Sequence, residues 1–348
     1  MIKFFRKIRQ KLLSENKFSK YLIYAIGEIV LVVIGIMIAL QFNNRNEQRK
    51  QLQAINETIT AIEEDMAYNF KDATDVLEFY KIQDSVMKKV LFDEYSLQDY
   101  RTNDLISIVT ANWNIHSPKT ENLETLLKKE EYTIKELIPI IDEVKSLVNS
   151  KTIVDQSWRT LYKNIEKNIE TLTQEVSLVR LDSISLEQRY NYMLTNPEYK
   201  KIVELNWAYT QNFYDLLSRF RAQNMAVLST IKMIRENYGN LELELLYQSL
   251  GMNPFKEIGC KTLNTTKNKE LRRGYLIGNL SDKEITLRII NDGKVGGTYN
   301  LKPYEFRNTK PEYAGLGGDY TIIAEQIDQE GNCINKFIAD NKGYLLID

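Results

Sequence analysis

The chain is 348 residues long and close to neutral, with 46 Lys and Arg against 47 Asp and Glu, one histidine and two cysteines. His116, alone in Asn114-Ile-His-Ser-Pro118 with both cysteines far off in sequence, offers neither a metal-ligand set nor a nucleophile–base pair. No P-loop, nucleophile elbow or paired-carboxylate motif stands out, so no enzyme, cofactor or metal is expected, and His116 reads as a loop or helix-start residue.

Residues 1–20 carry seven cations against the single acid Glu15, and Ile2, Phe5, Ile8 and Leu12 recur between them at helical spacing. This is the pattern of a short interfacial helix on the cytoplasmic face, with Lys3, Arg6, Lys7, Arg9 and Lys11 on lipid headgroups. A basic arm this short does not specify nucleic acid.

Residues 21–42, YLIYAIGEIVLVVIGIMIALQF, form an apolar rod of about 33 Å, enough to cross a bilayer core of ~30 Å. The core is long for a secretory signal and lacks a small-x-small cleavage site, so a retained signal anchor is expected. The basic flank keeps the N-terminus cytoplasmic, which places residues 43–348 in the periplasm of a bacterium, with the chain in the inner membrane.

Glu28 is the one carboxylate inside that run. An acid near the centre of a span costs about 2.5–3.5 kcal/mol, so Glu28 calls for a proton, a hydrogen-bond partner or a watery crevice. Gly27, Leu31, Gly35 and Ala39 recur at four-residue steps beside it, a small-residue stripe that lets another helix approach. Three roles stay open for Glu28: a bond across a homo-oligomer or to Tyr24, pairing with a polytopic membrane partner, or carriage of protons or ions.

The stretch MIKFFRKIRQKLLSENKFSKYLIYAIGEIVLVVIGIMIALQFNNRNEQRK, with its Gly27-Glu28 pair and Asn43-Asn44 exit, resembles the N-terminal signature of an uncharacterised family of bacterial single-span membrane proteins. Where that pattern places an aromatic residue, this chain has Arg45. The resemblance implies topology and no activity.

Residues 43–249 read as an extracytoplasmic helical bundle. Leu52, Ile55, Ile59, Ile62, Met66, Phe70, Ala73, Leu77 and Tyr80 alternate three and four apart, an apolar seam of coiled-coil type that continues the membrane helix. Ser117-Pro118 reads as a helix start, and Thr133-Ile-Lys-Glu136 as the capping box of a second long helix with Leu137, Ile141, Val144, Val148, Val154, Trp158, Leu161, Ile165 and Leu172 inward. Asn196-Pro197 opens a third, with Ile202, Leu205, Tyr209, Phe213, Leu216 and Phe220 inward. Antiparallel packing then takes the first helix away from the membrane, the second back and the third out again, with a membrane-proximal turn at 181–196 and short helices at 99–131 crowning the far end. Whether the seams close within one chain or between two is open.

Twelve of the fifteen glycines lie at 251 or later, and period-two segments appear there, so residues 250–348 read as a small antiparallel β-sandwich of six or seven strands. Cys260 and Cys333 both fall in it, as a disulfide or as two buried thiols. Gly293-Lys-Val-Gly-Gly297 and Gly315-Leu-Gly-Gly318 are turn chemistry without Walker spacing.

The expected fold is thus membrane-anchored α + β: one transmembrane helix, an antiparallel bundle or coiled-coil stalk, and the sandwich. The function expected is a non-enzymatic scaffold or interaction protein that meets the lipid bilayer, a second copy of itself or a polytopic partner, and a periplasmic protein. The competing function is a subunit of an ion-coupled or signalling complex that uses Glu28.

Overall fold

The computed structural model describes residues 18–129, 135–178, 182–261, 275–291, 294–308, 322–338 and 343–348. Two compact units divide the chain, residues 1–57 and 58–348. Helix α1, Phe18–Leu91, runs for 74 residues, and no proline breaks its ladder. Ile23, Ile26 and the apolar side chains from Ile29 to Phe42 are exposed, Ile23 by 71% and Leu31 by 67%. It is the one helix among the described residues long and apolar enough to cross a membrane, with mean hydropathy 2.4 over an 18-residue window. Such a helix serves as a membrane anchor or as a signal sequence.

From residue 58 onward the seam behaves differently. Ile59, Ile62, Met66, Phe70, Ala73, Leu77 and Tyr80 are all buried, so the stripe is covered by its own chain. After Asp93, which takes a left-handed φ of 57°, come α2 (Leu97–Thr102) and α3 (Asp104–Ile108). A capping box of Ser96 and Asp99 opens α2, and the Asn103 side chain caps α3.

Residues 112–120 then run without helix or strand back along α1. Four α1 side chains fasten them through backbone groups: Gln83 Nε2 to Asn112 O (3.3 Å), Tyr80 Oη to Asn114 O (2.9 Å), Asp72 Oδ2 from Ser117 N (3.0 Å), and Asn69 Oδ1 from Lys119 N (2.8 Å). Helix α4, Glu121–Lys128, continues the descent, with Asn122 donating to Asp65 at 2.8 Å. Ser117-Pro118 therefore opens no helix; its segment is an extended strap.

A 3-10 turn at Lys135–Leu137 leads into α5, Ile138–Glu175, while Thr133 of the expected capping box lies outside the described residues. Helix α6, Ser183–Thr195, occupies the segment expected as a turn, opened by an Asp182–Ser185 capping box. Helix α7, Pro197–Glu236, starts as expected, with Asn196 accepting from Glu198 N at 2.8 Å.

Directions follow from the cross-links. Along α7, Trp207 reaches Asp84 of α1 at 2.6 Å and Lys232 reaches Glu63 at 2.8 Å, so α7 is antiparallel to α1. Asn206 accepts from Asn164 of α5 at 3.0 Å and Gln223 accepts from Ser150 at 2.5 Å, so α7 is antiparallel to α5 as well. Helices α1 and α5 are consequently parallel, which corrects the expected out–back–out order. The strap makes the return journey that the second long helix was expected to make. Helix α6 accordingly sits at the end where α1 finishes, in one apolar cluster with Val86, Val90, Tyr100, Ile106, Leu172, Met193 and Tyr199.

The inward face of α7 also differs from expectation. Val203, Asn206, Thr210, Phe213, Leu217 and Phe220 are buried, whereas Leu205 is 45% exposed. Amides and hydroxyls hold positions that an apolar count assigns elsewhere.

Helix α8, Asn240–Ser249, leads to nine strands among the described residues: β1 Asn253–Pro254, β2 Lys256–Ile258, β3 Leu276–Asn279, β4 Ile285–Asn291, β5 Lys294–Leu301, β6 Phe306–Asn308, β7 Ile322–Ile327, β8 Cys333–Ile338 and β9 Gly343–Ile347. They make two sheets, ordered β1-β9-β3-β6 and β2-β8-β7-β4-β5. The five-stranded sheet is antiparallel throughout. In the other, β9 runs parallel to both β1 and β3, against an all-antiparallel expectation. Parallel neighbours need a long crossover, and the strands of the five-stranded sheet supply it between β3 and β9. Ile277 and Leu345 of one sheet share a core with Leu287, Ile289 and Ala324 of the other. Strands β3 and β6 lie against α7, and Tyr247 of α8 joins Ser229 of α7 by a 2.6 Å hydrogen bond.

Candidate functional site

Where α5, α7 and the start of β6 meet, they enclose a half-open cavity of about 500 Å³. Helix α5 contributes Glu143, Ser146, Asn149, Ser150, Ile153 and Val154; α7 contributes Leu216, Arg219, Gln223 and Ala226; Glu305, Phe306 and Arg307 close the third side. On α5, Glu143, Ser146 and Ser150 recur at helical spacing beside the buried stripe of Ile140, Val144 and Leu147, which aims them at one edge of the bundle.

The third side is set by a tight turn. Tyr304 adopts a left-handed φ of 59°, and Glu305 Oε2 accepts from Lys302 N at 2.7 Å while its Oε1 accepts from Arg307 Nε at 2.6 Å. Phe306 is 3% exposed, and its ring occupies the space above Gly278 of β3, where a Cβ would come within 2.5 Å of it. Glycine at 278 is thus what lets the Phe306 ring approach the β3 backbone this closely.

Several polar groups in the lining bond one another. Gln223 accepts from Ser150 Oγ and donates to Ser146 Oγ. Arg219 pairs with Asp215 at 2.6 Å, and Arg307 with Glu305. Glu143 is different: among the described residues no donor holds its carboxyl. Burial, reinforced by the charges of Glu305 and Asp142 and opposed by Arg307, pushes it up to about 7.

A smaller cavity of about 200 Å³ lies on the far side of Val154, lined by Ile115, His116, Asp155, Trp158, Arg159 and Phe213 among others. His116 Nδ1 bonds Asp72 of α1, and its ring stands edge-on to Phe220 at 5.1 Å. Burial holds His116 below the usual imidazole value despite the Asp72 charge, so the neutral ring is favoured. No serine or threonine hydroxyl and no thiol bonds it among the described residues, and the Asp–His pair acts as a clip between strap and helix. No group of three His, Cys, Asp or Glu suited to a metal occurs among the described residues.

The residues singled out by sequence lie elsewhere. Glu28 sits half-buried on α1; Gly27, Gly35 and Ala39 are exposed, and a Cβ at either glycine would meet no atom within 4 Å. The Tyr24 side chain and Lys3, Arg6, Lys7, Arg9 and Lys11 fall outside the described residues. Cys260 and Cys333 are joined in a disulfide, Cα atoms 6.0 Å apart, which fastens the segment after β2 to the start of β8. Glu143, Glu305 and Arg307 escaped sequence reasoning because they meet only through the docking of β6 on the bundle. The helical spacing of Glu143, Ser146 and Ser150 was the one local signal. Comparison with protein-family models, curated proteins and solved structures finds no match for the chain.

Proposed function

We propose that the chain is a membrane-anchored, non-enzymatic scaffold. Its anchor is the apolar segment of α1, with the N-terminus in the cytoplasm. In the periplasm a helical stalk and a β-sandwich are offered to protein partners. One observation carries the reading: from Ile29 to Phe42 the apolar side chains of α1 are uncovered, whereas the same helix buries its apolar stripe from Ile59 to Tyr80. Exposing such a continuous patch to water is unfavourable, and a bilayer removes the cost. The Cys260–Cys333 bond supports an oxidising compartment. The resemblance of residues 1–50 to bacterial single-span proteins supports the same orientation. The open space around Gly27 and Gly35 suits a second helix, from another copy or a polytopic protein, packed beside Glu28.

The test is protease treatment of spheroplasts, followed by alkaline carbonate extraction of the membranes. Digestion of residues 58–348 in intact spheroplasts, with the apolar segment of α1 retained in the membrane pellet, is the expected result. Full protection of that unit, or release of the intact chain by carbonate, would refute the topology. In the same strain, Glu28→Gln should leave self-association intact, because an amide still hydrogen-bonds. A co-purifying polytopic protein that is retained by this variant while the function of the complex is lost would favour the ion-coupled reading instead.

A further inference from the structure

We propose that the cavity between α5, α7 and β6 binds a small organic cation, its ammonium group on the Glu143 carboxylate and its hydrocarbon part along Ile153, Leu216 and Phe306. A volume of about 500 Å³ suits a small ligand, and junctions between substructures are where such sites form. What the lining lacks defines the guest. Both guanidinium groups already face a carboxylate, Arg219 that of Asp215 at 2.6 Å and Arg307 that of Glu305 at 2.6 Å, so neither offers an anion an uncompensated charge. Gln223 bridges Ser150 and Ser146, which ties up three of the neutral polar side chains in the lining and leaves the Asn149 amide. The lining brings together two carboxylates and no histidine or cysteine, and no group of three metal-ligating side chains occurs among the described residues.

Glu143 is the charged group in the lining that no opposite charge bonds, a carboxyl in a partly desolvated wall with no donor holding it among the described residues. An ammonium supplies both the hydrogen bonds and the opposite charge that this position is missing. The apolar flank of Ile153, Leu216 and Phe306 selects an alkylammonium over a bare inorganic cation. Because the ionised form of Glu143 is the one that binds, the guest competes with a proton. The groups facing Glu143 are Glu305 and Arg307 from the β6 side, Asp142 on its own helix and Arg219 across the cavity on α7. With its carboxyl pushed up to about 7, affinity should fall about tenfold for each pH step below that value.

The test is ligand-observed NMR of n-butylammonium with the purified full chain in non-ionic detergent, with n-butanol and butyrate as comparators. Saturable binding at pH 8, at least tenfold weaker at pH 5.5 and at least tenfold weaker for both comparators, is the expected result. Glu143→Gln should abolish it without lowering the melting temperature. Ile153→Trp, which fills the cavity from an exposed rim position, should weaken it at least fivefold and guards against a folding defect in the first variant. Absence of saturable binding to the native chain, or binding that neither variant changes, would overturn the proposal.

Discussion

Asp84 offers the sharpest check on the bundle's polar interior. Its side chain is 8% exposed; Oδ1 accepts from Trp207 Nε1 at 2.6 Å and from Gln211 Nε2, and Oδ2 pairs with Lys88 at 2.9 Å. Asp84→Ala deletes both charge-assisted bonds from α7, each of which contributes about 1.5–3 kcal/mol. It also strands the Gln211 amide in a residue only 2% exposed. The Lys88 pair, with its lysine 31% exposed, adds about 0.5 kcal/mol. These terms sum to about 3.5–6.5 kcal/mol, and because bonds in one network do not add independently the expected loss is about 3–5 kcal/mol, the usual range for breaking a buried charged pair. Asp84→Asn keeps an oxygen for both α7 donors but makes those bonds neutral and sets an amide NH2 against Lys88, so its cost should be about 2 kcal/mol. Urea unfolding of the full chain in detergent, followed by circular dichroism, measures both. An alanine variant within 1 kcal/mol of native, or an asparagine variant as damaging as the alanine, would refute the claim that Asp84 Oδ1 ties α7 to α1.

Two further outcomes are expected. Reducing Cys260–Cys333, which are 73 residues apart, should remove about 4 kcal/mol by the chain-entropy model; a melting temperature unchanged by reductant, with both thiols then titratable, would contradict it. Glu143 has its folded-state value raised from 4.5 to about 7, so the folded chain holds more protons than the unfolded one between those values. Stability should therefore fall as pH rises through that window, by at most about 3 kcal/mol. Glu143→Gln should flatten that part of the stability–pH curve, and parallel curves for the two proteins would exclude the assignment.

How far the fold was legible depended on which chemistry filled each buried position. The α1 seam could be read because Ile59, Ile62, Met66, Phe70, Ala73, Leu77 and Tyr80 are apolar and all buried. The phase of α7 could not, because Asn206, Thr210 and Gln211 face inward, where hydrogen bonds rather than hydropathy choose the residue. The cavity was invisible for a third reason: Glu143 and Glu305 are brought together by domain docking, and no local pattern encodes that.

The strap shows why direction was the hardest feature to read. Between the Gln83–Asn112 and Asn69–Lys119 cross-links, α1 climbs about 21 Å at ~1.5 Å per residue. The strap covers the same height in half as many residues, about 23 Å at ~3.3 Å each, so only extended backbone fits the register. Ser117-Pro118 serves that need, since proline biases its predecessor toward extended conformations as readily as it begins a helix. The same dipeptide is consistent with both structures, and the deciding information lies on α1, in Asn69, Asp72, Tyr80 and Gln83. Those side chains take up backbone groups that a helix would have satisfied internally. With the return journey made by an extended segment, α5 is free to rise beside α1, and α7 is left to descend between two parallel neighbours.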